Sequence, residues 1–257
     1  MESLGAMMQQ DILNELRTEA IDSAEDRLRS MQETAHGFLN GSIKPSDAFA
    51  AIRLDAHSLK SVAASFEMKA MKVMCHRFED YFFTVKELNA DICKDVQFFC
   101  DRMAECLEGF VKGQEIDVSA LMRKLPNKAG FEVAEITGVE IEVMLVMAPG
   151  TATKIVTREL LECGYRMVNV ATTMDAFQLI PLMRPDAVII SRTMPELSGI
   201  DLACALRAMP ATKHIPVALL ATDRSSLVDL PASVPVLRKG ANFADDVADV
   251  FMQLGIL

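Results

Sequence analysis

Apolar residues recur at helical spacing through the first part of the chain, from residue 9 to about 112. Positions three and four apart form continuous stripes, and few glycines or prolines interrupt them, so this segment is predicted to be all helix. Four amphipathic helices joined by short connections predict an antiparallel four-helix bundle. The many Met and Phe residues on these stripes are best explained as core side chains.

The boundaries of the first two helices can be predicted from individual residues. The first stripe begins at Ile12 and Leu16, and Asn40-Gly41 provides a helix stop after it. The second helix starts after Pro45, with Ser46 as its expected N-cap. We predict that the bundle occupies residues 1–114.

The pattern changes after residue 140 to short apolar strands that alternate with amphipathic helices. Strands are predicted at 141–147, 167–170, 186–191, 215–221 and 234–237. This alternation predicts a doubly wound, parallel, five-stranded sheet over residues 140–257, with its ligand site at the carboxyl ends of the strands. The mixed segment 115–139, with Pro126, Gly130 and Gly138, is the predicted linker.

Composition narrows the function classes. The 257 residues are enough for two domains, and the net charge of -10, with no basic cluster, argues against nucleic acid and anionic membranes as partners. No apolar run approaches the roughly 20 residues that span a bilayer, and we expect a soluble, cytoplasmic protein. The six cysteines form no CxxC pair, which favours buried free thiols over disulfides or a metal site.

One histidine stands out within "RLDAHSLKSVAASFEM" on the second helix. The core stripe runs through Ile52, Ala56 and Leu59, so His57, roughly 100° further round, should face solvent. Arg53 lies one turn before His57 and Lys60 one turn after it. A nucleophilic imidazole must be neutral and reachable, and nearby cations both disfavour its protonation and attract a phosphoryl group. Taken alone, an exposed histidine on a helix is more often only a solvated surface residue, and the context of the motif is what favours the phosphoacceptor.

The stretch "AHSLKSVAASFEM" resembles the histidine-containing phosphotransfer (HPt) domain, whose signature is a His, a Lys three residues on and then a Gly, within a four-helix bundle. His57 and Lys60 match, and the resemblance extends over residues 8–112. Ser61 stands where the glycine is usual. In that family the glycine lets a receiver partner approach closely, so Ser61 could slow transfer or narrow the choice of partner.

The segments "PDAVIISRTMPELSGIDL", "HIPVALLAT" and "LRKG" resemble the receiver domain of two-component signalling, over essentially all of 141–257. The resemblance implies an acidic pair and an aspartate that hold Mg²⁺, and a hydroxyl residue and a lysine that contact phosphate. The acidic pair falls at Met147, Ala148 and Pro149, the phosphoacceptor at Ser191, the hydroxyl at Ala221 or Thr222, and the lysine at Lys239. Of these positions, only Lys239 matches the family.

These departures predict a degenerate receiver pocket with no metal. Mg²⁺ requires carboxylate oxygens, and a serine that lacks metal and general base is a poor phosphoryl acceptor. Phosphoserine formation at Ser191 is the minor alternative. The connection between Ala221 and Lys239 is also short for the family, which predicts a stunted or missing fourth helix in this domain.

Together the resemblances imply a histidine phosphotransfer protein of a two-component phosphorelay, with His57 carrying a phosphoryl group between aspartates of partner receivers. We expect a phosphocarrier that is not an enzyme and has no cofactor, since the Mg²⁺ is supplied at the partner receiver's site. The expected partners are receiver domains of response regulators or a hybrid histidine kinase. The pseudo-receiver would serve docking, homodimerisation or regulation.

Two other functions are consistent with parts of the sequence. The bundle could be a non-catalytic scaffold or antagonist that binds receivers and sequesters them, and Ser61 favours this alternative. A histidine kinase fragment is a third hypothesis, but the remaining residues contain no glycine-rich ATP lid and no asparagine-bearing nucleotide box.

Overall fold

A computed structural model describes residues 2–83, 85–122, 125, 141–222, 227–240 and 243–256, with side chains from residue 9 onward. The chain folds into two compact units, Met1–Lys128 and Ala129–Leu257. The predicted linker, 115–139, spans the division between them. Most of that linker lies outside the described residues, so its assignment stays a prediction.

The first unit is built from helices. They are α1 (Glu2–Leu39), α2 (Pro45–Ser65), α3 (Lys69–Phe83), α4 (Ala90–Val111) and the short α5 (Val118–Met122). Helix α1 packs against α2 and α4, and α3 packs against the same two helices. This cyclic pairing of helices joined by short connections is the four-helix bundle predicted from the apolar stripes.

Methionine and aromatic side chains fill the core of the bundle. Phe78 stacks on Phe82 at a centroid distance of 5.3 Å and meets the edge of Phe99 at 5.2 Å. Met71 and Met74 are fully buried beside them. These residues are core side chains, as the sequence indicates.

Two details of the first two helices differ from expectation. Ile12 and Leu16 are exposed, because α1 has 38 residues and is much longer than α2 and α4, with 21 and 22. The N-cap of α2 is Lys44, which makes no side-chain capping bond, and Pro45 occupies the first turn. Ser46 instead donates to Asp47 Oδ1, so its assignment as the cap is wrong.

A buried carboxylate joins α1 to α2. Asp55 is 5% exposed, and its two oxygens accept hydrogen bonds from Arg27 Nη1 at 2.9 Å and from Ser30 Oγ at 2.7 Å. Both donors lie on α1, while Asp55 is two residues before His57 on α2. These two hydrogen bonds therefore fix the rotation of α2 about its axis, and that rotation determines the direction in which the His57 side chain points.

The beginning of the predicted linker belongs to the first unit. Helix α5 contacts α3, and Val118, Met122 and Leu125 are buried. Helix α5 is therefore part of the packed structure of the first unit.

The second unit contains the predicted parallel sheet. Its strands are β1 (Glu142–Val146), β2 (Arg166–Val170), β3 (Ala187–Ser191), β4 (Val217–Ala221) and β5 (Val236–Arg238). The order is β2-β1-β3-β4-β5 with every pairing parallel, which is the flavodoxin-like order. The helices around the sheet are α6 (Thr151–Glu162), α7 (Thr173–Met183), α8 (Gly199–Ala208) and α9 (Phe243–Gln253).

The turn from β3 into α8 depends on a glycine. A Cβ atom on Gly199 would lie 2.1 Å from the backbone oxygen of Ser191, so only glycine permits this approach. The Gly199 N–H donates to Arg192 O at 3.0 Å. Ser198 and Asp201 form a reciprocal capping box at the start of α8.

The connection between β4 and β5 is short. In its described part, residues 227–235 form turns without a helix, and 223–226 lie outside the described residues. The sequence predicts a stunted or missing helix in this connection, and the described residues 227–235 contain none.

All six cysteines are free. Cys75, Cys93, Cys100 and Cys106 are buried in the bundle, whereas Cys163 is exposed and Cys204 is half-buried. The expectation of buried thiols is thus wrong for the two cysteines of the second unit.

Candidate functional site

His57 lies on the outer face of α2. The neighbouring stripe of Ile52, Ala56 and Leu59 is completely or almost completely buried against the rest of the bundle. Because His57 follows Ala56 by one helical step, its side chain emerges beside this buried face and is 74% exposed. The predicted solvent-facing position of His57 is therefore observed.

A carboxylate on α3 contacts the imidazole. Glu79 Oε1 lies 3.2 Å from His57 Nδ1, and Glu79 Oε2 accepts a hydrogen bond of 2.7 Å from Lys60 Nζ. Glu79 is about one quarter exposed. One carboxylate therefore orients both the histidine and the lysine that the sequence singled out.

Glu79 also determines which ring nitrogen is available. An ionised carboxylate only accepts hydrogen bonds, so the Nδ1 atom facing it carries the proton. The neutral imidazole then has its lone pair on Nε2. Among the described residues nothing hydrogen-bonds to Nε2, which belongs to an exposed ring.

The two cations near His57 have different surroundings. Lys60 is one third exposed and is held by Glu79. Arg53 is exposed and makes no hydrogen bond or ion pair within the part of the chain that the structure describes. The sequence predicts a cation on either side of His57, and in the structure the carboxylate of Glu79 neutralises one of the two, Lys60.

Sequence reasoning missed Glu79. The stripe on α3 shows that Phe78 and Phe82 face the core, so Glu79 must lie at its edge. Which residue of α2 it meets depends on how far α3 is shifted along α2, and the connection 66–68 sets that shift. Periodicity within one helix contains no information about this shift.

Ser61 folds its hydroxyl back onto its own helix. Ser61 Oγ donates to the backbone oxygen of His57 at 3.0 Å, the bond to the preceding turn that serine commonly forms in helices. The hydroxyl therefore lies along the helix surface beside His57. The added bulk relative to glycine is a methylene group and a tethered hydroxyl.

The other histidines lack this arrangement. His36 and His214 are exposed, and His76 on α3 is half-buried. None of the three is followed three residues later by a lysine.

The predicted receiver pocket lies at the carboxyl edge of the sheet. Ser191 ends β3 and is paired with Leu220 of β4, and the Lys239 N–H donates to Ala221 O. Ala148 and Pro149 follow β1 directly, and Thr222 follows β4. Because the strands are parallel and adjacent, their ends bring all of these predicted positions to one edge.

The residues at the predicted metal-binding positions do not fit a Mg²⁺ ion. Met147, Ala148 and Pro149 offer no carboxylate, while Ser191 is a buried residue, 3% exposed, whose hydroxyl donates to Thr193 O at 3.3 Å. Mg²⁺ is bound through carboxylate oxygens. No cluster of three or more His, Cys, Asp or Glu side chains suited to a metal occurs in the described ranges.

The family model of the Hpt domain matches residues 15–110. Residues 15–110 form an Hpt domain. The match contains α2 and α3 and thus every side chain of the His57 site. The Hpt domain accounts for the first unit from the middle of α1 to the end of α4.

The C-terminal part is similar to solved receiver domains. One belongs to a sensor histidine kinase from Pseudomonas aeruginosa, with 20% identity, a TM-score of 0.41 and coverage of 46% of this chain and 99% of that one. A second, from a histidine kinase of Syntrophus aciditrophicus, has 25% identity, a TM-score of 0.40 and coverage of 44% and 89%. A CheY-like receiver from Methylobacillus flagellatus has 18% identity, a TM-score of 0.39 and coverage of 45% and 99%.

Comparison with curated proteins gives no match. Across the described residues, no helix has both the length and the apolar character needed to cross a membrane. The chain combines an Hpt domain with a C-terminal unit of the flavodoxin-like receiver fold. The Hpt domain is a module of two-component phosphorelay signalling.

Proposed function

We propose that the protein is a phosphocarrier in which His57 of the Hpt domain receives a phosphoryl group from an aspartyl phosphate of one receiver and passes it to an aspartate of another. The contact of Glu79 with both His57 and Lys60 carries this proposal. It holds the imidazole in the tautomer that has a nucleophilic Nε2, and it holds Lys60 on the same carboxylate as the ring.

The transfer step can be written with its electrons balanced. The Nε2 lone pair forms a bond to phosphorus, and the bond from phosphorus to the aspartate oxygen breaks, so the electron pair leaves on the partner's carboxylate. The product ring keeps its Nδ1 proton and becomes positively charged. Glu79 stabilises that charge through the hydrogen bond it already makes.

Lys60 and Arg53 are the groups that favour the phosphoryl anion. Phosphoryl transfer depends mostly on positioning and on neutralising charge, and a cation one turn from His57 on either side supplies both. We propose that Lys60 exchanges Glu79 for the phosphoryl oxygens once Nε2 is phosphorylated. The Mg²⁺ and the reacting carboxylate belong to the partner receiver, so this chain needs no cofactor.

We further propose that the C-terminal unit takes no phosphoryl group and acts as a pseudo-receiver, for docking or regulation. The neutral residues at Ala148, Pro149 and Ser191 support this. A phosphorylatable receiver attached to the Hpt domain would compete for the group on His57. Losing its carboxylates removes that competition and keeps the surface of the fold.

Phosphoramidate, a small phosphoryl donor, tests the proposal on the full chain. We expect intact-mass spectrometry to find one acid-labile phosphoryl adduct on the wild type and none on His57→Ala. The matched control is His36→Ala, which removes another exposed histidine of the bundle and should label like the wild type. No adduct on the wild type would favour the alternative, a scaffold that binds receivers without accepting phosphate.

A further inference from the structure

A small cavity between α2 and α3 has His57 as one of its walls. Its volume is about 250 Å³, and its walls include the rings of Phe78, Phe82 and Phe83, with Arg53 and Glu79 at the polar side. Small-molecule sites typically measure roughly 300–1,000 Å³. The cavity is therefore more suited to a single side chain than to a separate ligand.

Two large apolar side chains beside His57 are unusually exposed. Phe83, at the end of α3, is 67% exposed and lines the cavity, while Leu54, one turn before His57 on α2, is 64% exposed. On the helix, Leu54 projects roughly 60° from His57, on the side away from α3. The imidazole is thus flanked by apolar surface on both sides, which is typical of a protein contact.

The positive charge of Arg53 at the cavity favours a partner that carries an anionic group. Arg53 lines the cavity and has no ion-pair partner in the ranges that the structure describes. The group delivered to Nε2 is an anion, whichever protein carries it. An exposed cation beside an aromatic pocket is complementary to an apolar side chain that sits next to an anionic phosphoryl group.

We propose that this cavity is a docking pocket that takes one apolar side chain of the phosphoryl donor, from the segment next to its phosphoaspartate. The inference rests on the proposed function of His57. A protein that brings its phosphoaspartate within bonding distance of Nε2 must cover the cavity, because His57 is one of its walls. Phe83 and Leu54 then determine which receivers can transfer, and Arg53 pairs with the anionic side of the contact.

Two donors separate docking from the reactivity of His57. Phosphoramidate reacts without a protein surface, whereas a receiver must dock before it transfers. The protein donors are receiver domains from the same genome, each phosphorylated with acetyl phosphate and Mg²⁺, and the fastest donor to the full-length wild type is used for the variants. The quantity compared is the ratio of the transfer rate from the receiver to the labelling rate with phosphoramidate.

We expect Phe83→Ala to lower this ratio by about tenfold or more and Leu54→Ala by a smaller factor, since truncation of an anchoring aromatic residue has the largest effect at protein contacts. Phe83→Leu, which keeps an apolar side chain, should restore part of the loss. Leu39→Ala is the matched control, because Leu39 is 45% exposed at the far end of α1. It should leave the ratio unchanged.

Each outcome decides between the two proposals. An unchanged ratio in Phe83→Ala overturns the docking pocket and leaves the function of His57 intact. A loss with both donors in equal proportion also overturns it, because the variant then acts on His57 itself. If no receiver transfers a phosphoryl group while phosphoramidate labels His57, the docking pocket is refuted. If phosphoramidate does not label His57 either, the proposed function of His57 is refuted, and the docking pocket with it.

Discussion

Glu79 is the residue through which the His57 site is organised. Its two oxygens contact two different functional groups, His57 Nδ1 and Lys60 Nζ. It therefore orients the imidazole while it also places a negative charge near an incoming phosphoryl group. Orientation and the tautomer are required for any reaction at Nε2, whereas repulsion between partly exposed charges is screened by water. We expect the orienting effect to dominate.

The first prediction concerns Glu79→Ala. This variant should label with phosphoramidate on the order of tenfold more slowly than the wild type, because the ring loses the acceptor that fixes its tautomer. Nitrogen NMR of His57 should show the loss of the Nδ1–H tautomer. Glu108→Ala, which removes a carboxylate paired with Lys112 on α4, serves as the control and should react normally. A faster reaction of Glu79→Ala would mean that charge repulsion is the larger effect.

Helical geometry within α2 is enough to predict which residues surround His57 on its own helix. Lys60, Arg53 and Ser61 all lie where the 3.6-residue repeat puts them. Their interactions could not be predicted in the same way. The ion pair of Lys60 with Glu79 involves a second helix, and the bond from Ser61 to His57 O depends on a side-chain torsion that sequence pattern does not fix.

At the level of helices and strands, single contacts fix how one segment packs against its neighbour. Asp55 joins α2 to two donors on α1, and Gly199 lets α8 begin against the end of β3. The apolar stripes predict that α1 and α2 pack together, but they give no sign of a buried carboxylate between them. The motif containing Gly199 is visible in the sequence, while the 2.1 Å approach that requires it is visible only in the structure.

The second prediction concerns Asp55→Ala. Removing this carboxylate leaves Arg27 and Ser30 without their acceptor, and we expect the free energy of unfolding of the bundle to fall by about 2 kcal/mol, because two hydrogen bonds to a charged group are lost while Arg27, 44% exposed, can still be solvated. Asp26→Ala is the matched control, because its pair with Arg29 is exposed on both sides and should contribute less than about 1 kcal/mol. Urea denaturation followed by circular dichroism measures both, and equal losses would contradict the prediction.

The third prediction concerns Gly199→Ala. The added methyl group meets backbone atoms, which cannot rotate away, so the second unit should lose about 2 kcal/mol of stability or more. Gly150→Ala is the control, because its φ of 172° is extended backbone and no atom lies within 4 Å of the added Cβ. Thermal unfolding of the two variants should differ clearly. Similar melting temperatures would show that the turn rearranges at little cost.

For the whole molecule, the pattern of apolar residues predicts both folds, including the order in which helices and strands follow one another. Alternation of apolar strands with amphipathic helices leads to a parallel sheet, and the observed strand order is the flavodoxin-like one. The exposed start of α1 could not be predicted, because a stripe beginning at Ile12 looks the same whether or not another helix covers it. Whether the start of α1 is buried depends on how long the neighbouring helices α2 and α4 are.

The fourth prediction concerns the division of labour in the chain. Incubated with acetyl phosphate and Mg²⁺, the His57→Ala variant should gain no phosphoryl group on its second unit, because Met147, Ala148, Pro149 and Ser191 offer no carboxylate for the metal. Adding Ser191→Asp to that variant should change nothing, since two further carboxylates are still missing after β1. A receiver domain that retains its aspartate is the positive control, and rapid labelling of the Ser191→Asp protein would contradict the prediction.

The distribution of cysteines has a practical consequence. Burial raises the pKa of Cys100 and of Cys106 to about 12, and it raises the pKa of Cys75 further. At pH 8 these thiols are almost entirely protonated and out of reach, so iodoacetamide should alkylate Cys163 and Cys204 alone in the native protein. The four thiols of the bundle should react only when urea opens it, which mass spectrometry can count. The chain therefore contains its own reporter, which distinguishes unfolding of the phosphocarrier bundle from changes in the rest of the molecule.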